Sequence, residues 1–330
     1  MNTTQMTGQR FIFGFDGLYF SDDLKHIIRD LNACGIILFK QNIQSPDQVS
    51  DLCRQCQEYA AACGIPPLFI CVDQEGGVVA RFKEPFTVFK GNPFIETLED
   101  AQHFAVTTAK ELLPLGINMN LAPVLDVAPE GVDSIMKDRV FKGDERSVSK
   151  LGTQVISSLQ SSHMMAVAKH FPGIGRTIKD SHFHLPVLDI DFDTLNNTDM
   201  IPFAHAIKQG VTGIMLSHIH YPQLDETWQA SLSPVIVNDI LRNKMGFEGL
   251  VFTDDLDMKA IKHDMPVCIR QILQAGVDIT LICHNGPNID IAWSTMQELL
   301  AADKSLYQAG EKSVERILKY KKKYLSNPVS

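Results

Sequence analysis

Three stretches of this chain carry side chains whose types and spacing point to chemistry. The first runs Lys169-His170-Phe171-Pro172-Gly173-Ile174-Gly175-Arg176 and continues through Asp180-Ser181-His182-Phe183-His184. Asp180 and His182 are two residues apart. A loop can therefore bring the carboxylate to one ring nitrogen, which fixes the tautomer and raises the basicity of the other nitrogen. Pro172 and the two glycines permit the tight backbone such a loop needs. An Asp–His pair is also how an ordinary loop histidine is satisfied, so the pair alone specifies no reaction. The second stretch is Val251-Phe252-Thr253-Asp254-Asp255-Leu256-Asp257-Met258. Adjacent carboxylates resist joint ionisation unless they diverge or one meets a cation. On a strand, neighbouring side chains point to opposite faces. One of Asp254 and Asp255 is thus expected to face a cavity while the other caps the following helix. The third, Asp73-Gln74-Glu75-Gly76-Gly77-Val78-Val79-Ala80-Arg81, offers a carboxylate at a strand end and an arginine shortly after it. Its glycine pair would let the backbone approach a ligand.

Such groups need elements that bring them together. Eight short apolar, β-rich runs recur along the chain: 11–15, 36–39, 68–72, 117–122, 166–170, 213–217, 250–253 and 278–283. Amphipathic segments with helical period lie between them, at 47–62, 101–113, 150–164, 235–244 and 267–275. Strand and helix in alternation imply parallel pairing, and eight such units predict an α/β fold, one (β/α)8 barrel over residues 1–330. A doubly wound sheet is the alternative, but no G-x-G-x-x-G follows the first strand. Most runs end in polar residues: Asp16, Asp73, Asp126, Lys169 with His170, His218, Asp254 with Asp255, and His284 with Asn285. A barrel gathers all these ends on one face.

Composition narrows the classes further. Lys and Arg number 30 against 39 Asp and Glu, a net charge of −9 over 330 residues. That balance disfavours nucleic acid or an anionic membrane as partner. Seven dispersed cysteines suit a reducing compartment, and residues 1–10 are too polar for a secretory signal, so a cytoplasmic location is expected. Cys53-x-x-Cys56 lacks a second pair at zinc spacing and reads as structural thiols. The basic run 316–323 reads as a solvated helix end. His182-x-His184 and His218-x-His220 raise the alternative of a metal-dependent, amidohydrolase-like barrel. Such barrels commonly carry H-x-H after the first strand, where this chain has Phe15-Asp16-Gly17. No metal is therefore expected.

Taken in order, the motifs resemble glycoside hydrolase family 3, in particular its single-domain bacterial β-N-acetylglucosaminidase type. The likeness runs through Gly14-Phe-Asp-Gly17, Asp73-Gln-Glu-Gly-Gly77, Leu121-Ala-Pro-Val-Leu-Asp-Val127, Lys169-His-Phe-Pro-Gly173, Asp180-Ser-His182, Ser231-Leu-Ser-Pro234 and Asp254-Asp-Leu256 with Met258. The resemblance implies Asp254 as nucleophile and His182, oriented by Asp180, as general acid/base in place of the usual second carboxylate. It implies Asp73, Arg81, Arg139, Lys169 and His170 as substrate-binding residues, with Lys169 and His170 helping to keep Asp254 ionised. The implied reaction is retaining exo-hydrolysis of terminal β-linked N-acetylhexosamine from peptidoglycan fragments, without metal or organic cofactor. The same scaffold leaves open a phosphorylase, a β-glucosidase and a non-catalytic sugar-binding barrel. Three positions depart from the family pattern. Ile174 stands where the loop usually has histidine, Val78 where arginine follows the glycine pair, and Asp138-Arg-Val-Phe-Lys142 where the family reads Arg-Ser-Phe-Gly.

Overall fold

The computed structural model describes residues 1–178 and 185–326. Eight parallel strands close into a barrel: β1 (Phe11–Phe13), β2 (Gly35–Leu38), β3 (Phe69–Val72), β4 (Met119–Asn120), β5 (Met165–Phe171), β6 (Gly213–Leu216), β7 (Leu250–Asp255) and β8 (Ile279–Ile282). Each strand pairs with its sequence neighbours, and β8 returns to β1 with Phe11 opposite Thr280 and Phe13 opposite Ile282. The eight predicted runs are these eight strands. β4 is shorter than its apolar run. Pro123 follows it and cannot donate to a ladder, and pairing resumes only at a bridge between Val124 and Lys169.

The period of two along each strand sorts the core into two layers. Ile12, Ile37, Phe69, Cys71, Met119, Met165, Val167, Leu250, Phe252, Ile279 and Leu281 fill the barrel interior. The alternate residues, such as Phe11, Phe13, Ile36, Leu38, Ile70, Val72, Ala166 and Val251, pack outward against the helices. Helices Pro46–Ala62, Leu98–Leu112, Glu145–Ser161, Val235–Lys244 and Met265–Ala275 occupy the predicted amphipathic segments, the fourth of them π-wound. Ser45, Thr97, Asp144 and Asp264 cap four of them with side-chain oxygens. Cys53 and Cys56 are buried on the inner face of Pro46–Ala62, as structural thiols should be. Among the described residues, no helix is long and apolar enough to cross a membrane.

The basic run near the C-terminus corrects its expectation. It belongs to helix Lys304–Leu325, which lies across the bottom of the barrel and adds Ile317 and Tyr324 to the interior cluster. Lys321 is 3% exposed, donates to Gln9 Oε1 at 2.8 Å and sits over the Phe69 ring. Arg316 pairs with the fully buried Asp278. The expectation holds for Lys319, Lys322 and Lys323, which are exposed, and fails on the inner face, which carries cations as well as apolar residues.

Candidate active site

The inward positions of the strands change character toward their C-terminal ends. Phe69 and Cys71 lead to Asp73, Met165 and Val167 to Lys169, and Leu250 and Phe252 to Asp254. The pleat that buries the apolar residues thus delivers three charged groups onto the barrel axis, above an apolar floor. Phe39, Asp73, Arg81, Asp254, Asp255, Asp257 and His284 line one lobe of a cavity of about 380 Å³, closed below by Ile37, Leu121, Met215 and Leu281. Asp73, Arg81, Asp254 and Met258 also line a second lobe, whose far wall is Glu75, Arg139, Lys169, His170 and Ile174. All five substrate-binding candidates and Asp254 therefore meet around one site.

An ion network holds the second lobe. Lys169 Nζ lies 2.8 Å from Asp73 Oδ1 and 2.7 Å from Glu75 Oε1. Arg81 donates to the other oxygen of Asp73 at 3.0 Å. Arg139 clasps Glu75 with two parallel bonds of 2.9 and 2.8 Å. Burial alone would raise the two carboxyls, but the cations outweigh it. Lys169 with Arg81 holds Asp73 well below the ordinary carboxylate range, and Lys169 with Arg139 lowers Glu75. Burial would lower Lys169, yet Asp73 and Glu75 raise it. Three cations facing two anions leave one net positive charge beside Asp254. The Lys169 ammonium is engaged by Asp73 and Glu75.

His170 is set from behind. Asp126 is fully buried; its Oδ2 lies 2.8 Å from His170 Nδ1, and its Oδ1 accepts the backbone N–H of Ile174 at 2.8 Å. A carboxylate accepts from Nδ1–H, which leaves Nε2 for the cavity. Glu75 and Asp126 were not singled out from the sequence as site residues. Both signals were present, one inside the Asp-Gln-Glu motif and one at a strand end, but neither reveals which cation or ring it serves.

Asp255 departs from its expected role. The helix after β7 is capped by Asp264, while Asp255 Oδ1 accepts backbone N–H groups of Asp257 at 3.1 Å and Cys283 at 3.0 Å. Burial pushes its carboxyl up to about 6. The glycine pair also answers to packing rather than to a ligand. Gly76 and Gly77 have φ of +83° and +61°, and a Cβ on Gly77 would lie 2.7 Å from the Lys90 carbonyl oxygen. Val78, at the tip of the small hairpin they form, is 68% exposed. Ile174 is buried in the wall of the second lobe. These two of the three departures thus lie in different settings, one in solvent and one against the cavity.

The metal-dependent alternative loses one of its two histidine pairs. His218 is buried, with Nε2 2.9 Å from the Asp255 carbonyl and Nδ1 2.7 Å from Ser231 Oγ, and burial lowers its pKa. His220 Nε2 lies 3.0 Å from the Asp225 carbonyl. Asp180, His182 and His184 lie outside the described residues. The stem leading toward them is anchored by Arg176, which donates to Asp199 at 2.9 Å and to Thr198 at 3.0 Å. Among the described residues, one set with ligating potential, Asp255, Asp257 and His284, sits at the cavity rim.

Residues 4–320 match the family described as glycosyl hydrolase family 3 N terminal domain. The chain is 36% identical over 281 residues to a β-hexosaminidase of Nitrosomonas eutropha, covering 82% of this chain and 79% of that one. It superposes with TM-score 0.92 and 34% identity on a glycoside hydrolase family 3 β-N-acetylglucosaminidase from Paenibacillus sp. str. FPU-7, covering 98% of this chain and 63% of that one. A β-N-acetylhexosaminidase from Beutenbergia cavernae superposes with TM-score 0.91 at 26% identity, covering 97% of this chain and 98% of the other.

Proposed function

We propose that this chain, which belongs to glycosyl hydrolase family 3 and is a β-N-acetylhexosaminidase, removes terminal non-reducing β-linked N-acetylhexosamine by two displacements with net retention. In the first, a carboxylate oxygen of Asp254 bonds to the anomeric carbon as the bond to the aglycone oxygen breaks, and protonated His182 gives its proton to that oxygen. In the second, water gives a proton to the now neutral His182 and bonds to the anomeric carbon as the ester to Asp254 breaks. An imidazole reaches both states near neutral pH, and Asp180 two residues away would orient it. Asp73, Arg81, Arg139, Lys169 and His170 would hold the sugar hydroxyls and orient the ring for in-line attack.

The observation that carries this reading is the convergence of Asp254 with all five binding residues on one cavity at the C-terminal end of the barrel. The family motif containing Asp180 and His182 supports the acid/base assignment. Peptidoglycan fragments as substrate, one barrel domain over the whole chain and a cytoplasmic location complete the reading; seven free cysteines favour the last.

A slow 2-fluoro or 5-fluoro glycosyl donor followed by peptide mass spectrometry tests the nucleophile. A sugar adduct on the Asp254 peptide is the expected result, and an active enzyme without that adduct overturns the covalent step. For the acid/base, His182→Ala should cost far less on substrates with good leaving groups than on poor ones. Equal losses on both would remove His182 from the role. Phosphate-dependent formation of sugar-1-phosphate would convert the reading from hydrolase to phosphorylase.

A further inference from the structure

We propose that Asp255, Asp257 and His284 form a binding site for a divalent first-row transition-metal ion of the zinc class, at the rim of the cavity that leads to Asp254. The site is separate from the groups that bind sugar or break the glycosidic bond. Its three residues come from the ends of adjacent strands β7 and β8. Their ligating atoms all lie within 4.8 Å of one another. His284 Nδ1 is 3.3 Å from Asp255 Oδ2 and 3.6 Å from Asp257 Oδ2. Ligands held at roughly 2.1 Å by a tetrahedral ion are about 3.4 Å apart, which the two separations made by His284 already match.

The groups behind the ligands are arranged as metal sites require. Asp255 is 9% exposed, and its Oδ1 is tied to two backbone N–H groups. Its Oδ2 faces His284 Nδ1 at 3.3 Å. Asp257 Oδ1 accepts from Asn288 Nδ2 at 2.7 Å, and its Oδ2 takes a single backbone N–H, that of His284 at 3.1 Å, which leaves a lone pair for an ion. The His284 ring stacks on Phe39 with centroids 6.3 Å apart, which restricts the plane of the imidazole. Outer bonds of this kind orient ligands and are as much part of a metal site as the ligands themselves. One imidazole and two carboxylates select zinc-class ions over magnesium or calcium, which prefer all-oxygen sets. The ion would bring two positive charges next to the nucleophile's strand end, so its occupancy should slow hydrolysis reversibly.

Binding of zinc ion to the full chain, measured by titration calorimetry and by competition with a chromogenic chelator, tests the site apart from catalysis. His284 is largely exposed, so His284→Ala should fold normally and should weaken zinc affinity by at least about tenfold. Asp257→Asn, which keeps an acceptor for Asn288, should do the same. Millimolar magnesium should not compete. In crystals soaked with zinc, the anomalous peak should fall between the three side chains. No saturable zinc binding, affinity unchanged in both variants, or a peak located elsewhere would each overturn the site. Failure here leaves the hydrolase reading untouched, because no step of hydrolysis passes through the ion.

Discussion

Each end of this barrel holds a cluster of buried charge, and the two clusters use nearly the same residue types. At the C-terminal end, Lys169, Arg81 and Arg139 face Asp73 and Glu75. At the N-terminal end, Arg242 and Arg316 hold the two oxygens of Asp278 at 2.6 and 2.9 Å. Arg10 lies beside them and donates to the backbone carbonyl of Val277. Lys321 lies nearby, against Gln9. Cations outnumber anions in both. The difference is access. The upper cluster forms the wall of an open cavity, whereas the lower one is roofed by helix Lys304–Leu325. Its excess positive charge has no ligand to meet, and burial drives Arg10 down to about 10 and lowers Lys321. In the upper cluster the carboxylates keep Lys169 charged. Ionic chemistry alone therefore does not mark a site; ionic chemistry open to a cavity on the loop-bearing face does.

The sharpest challenge to this contrast is to change each end and read activity and stability separately. Asp254→Asn should lower kcat by roughly 10⁴ or more while thermal unfolding stays near that of the parent, since among the described residues the hydrogen bond to its carboxylate is its neighbour's amide, which asparagine can also accept. Lys169→Met should abolish most activity and cost about 3–5 kcal/mol, because it leaves Asp73 and Glu75 buried with less compensation. Asp278→Asn should cost a similar 3–5 kcal/mol in denaturant unfolding yet leave kcat/KM per folded molecule unchanged. If that variant loses specific activity, the lower cluster is not purely structural. Lys321→Met, the same substitution made at the other end, should shift stability by about 1 kcal/mol or less and leave kinetics intact.

A pH series separates the two ends further. Asp73 and Glu75 titrate below their ordinary values, so their stabilisation is complete above the normal carboxylate range and is lost as pH falls through it. Lys169 is raised, so its share persists until pH climbs past the usual lysine value. Lys321 is lowered, so its share grows as pH rises toward that value. Chemical unfolding from pH 8 to 10.5 should therefore show a rising contribution in the parent that is missing in Lys321→Met. The smallest effect is expected at the hairpin tip: Val78→Arg should change stability by within about 0.5 kcal/mol, measured by thermal unfolding, as exposed substitutions do.

The fold was legible because its signal is periodic and local. Runs such as Leu68–Val72 and Leu250–Thr253, followed by amphipathic segments, need nothing distant to be recognised. Asp73, Lys169 and Asp254 were legible as polar strand ends; that the pleat continues the parity of Phe69, Val167 and Phe252 and turns all three inward was seen only once the barrel fixed which face is inside. Glu75 and Asp126 were less so. Their identity as the partners of Arg139 and His170 depends on contacts across 64 and 44 residues of sequence. The burial of Lys321 and the pairing of Arg316 with Asp278 were illegible for the same reason: a basic helical run looks solvated until the barrel bottom is placed against it.

The sequence by itself thus determined the period, the number of strands, the polar residues at the strand ends, and the motifs that name the chemistry. Each of these is a property of neighbouring residues. Tertiary structure alone decided which cation meets which carboxylate, which charged cluster opens to solvent, and that Asp255, Asp257 and His284 share a centre. Those are relations among strand ends that only barrel closure brings within a few ångströms, and at such distances electrostatics and ligation are set by geometry rather than by composition.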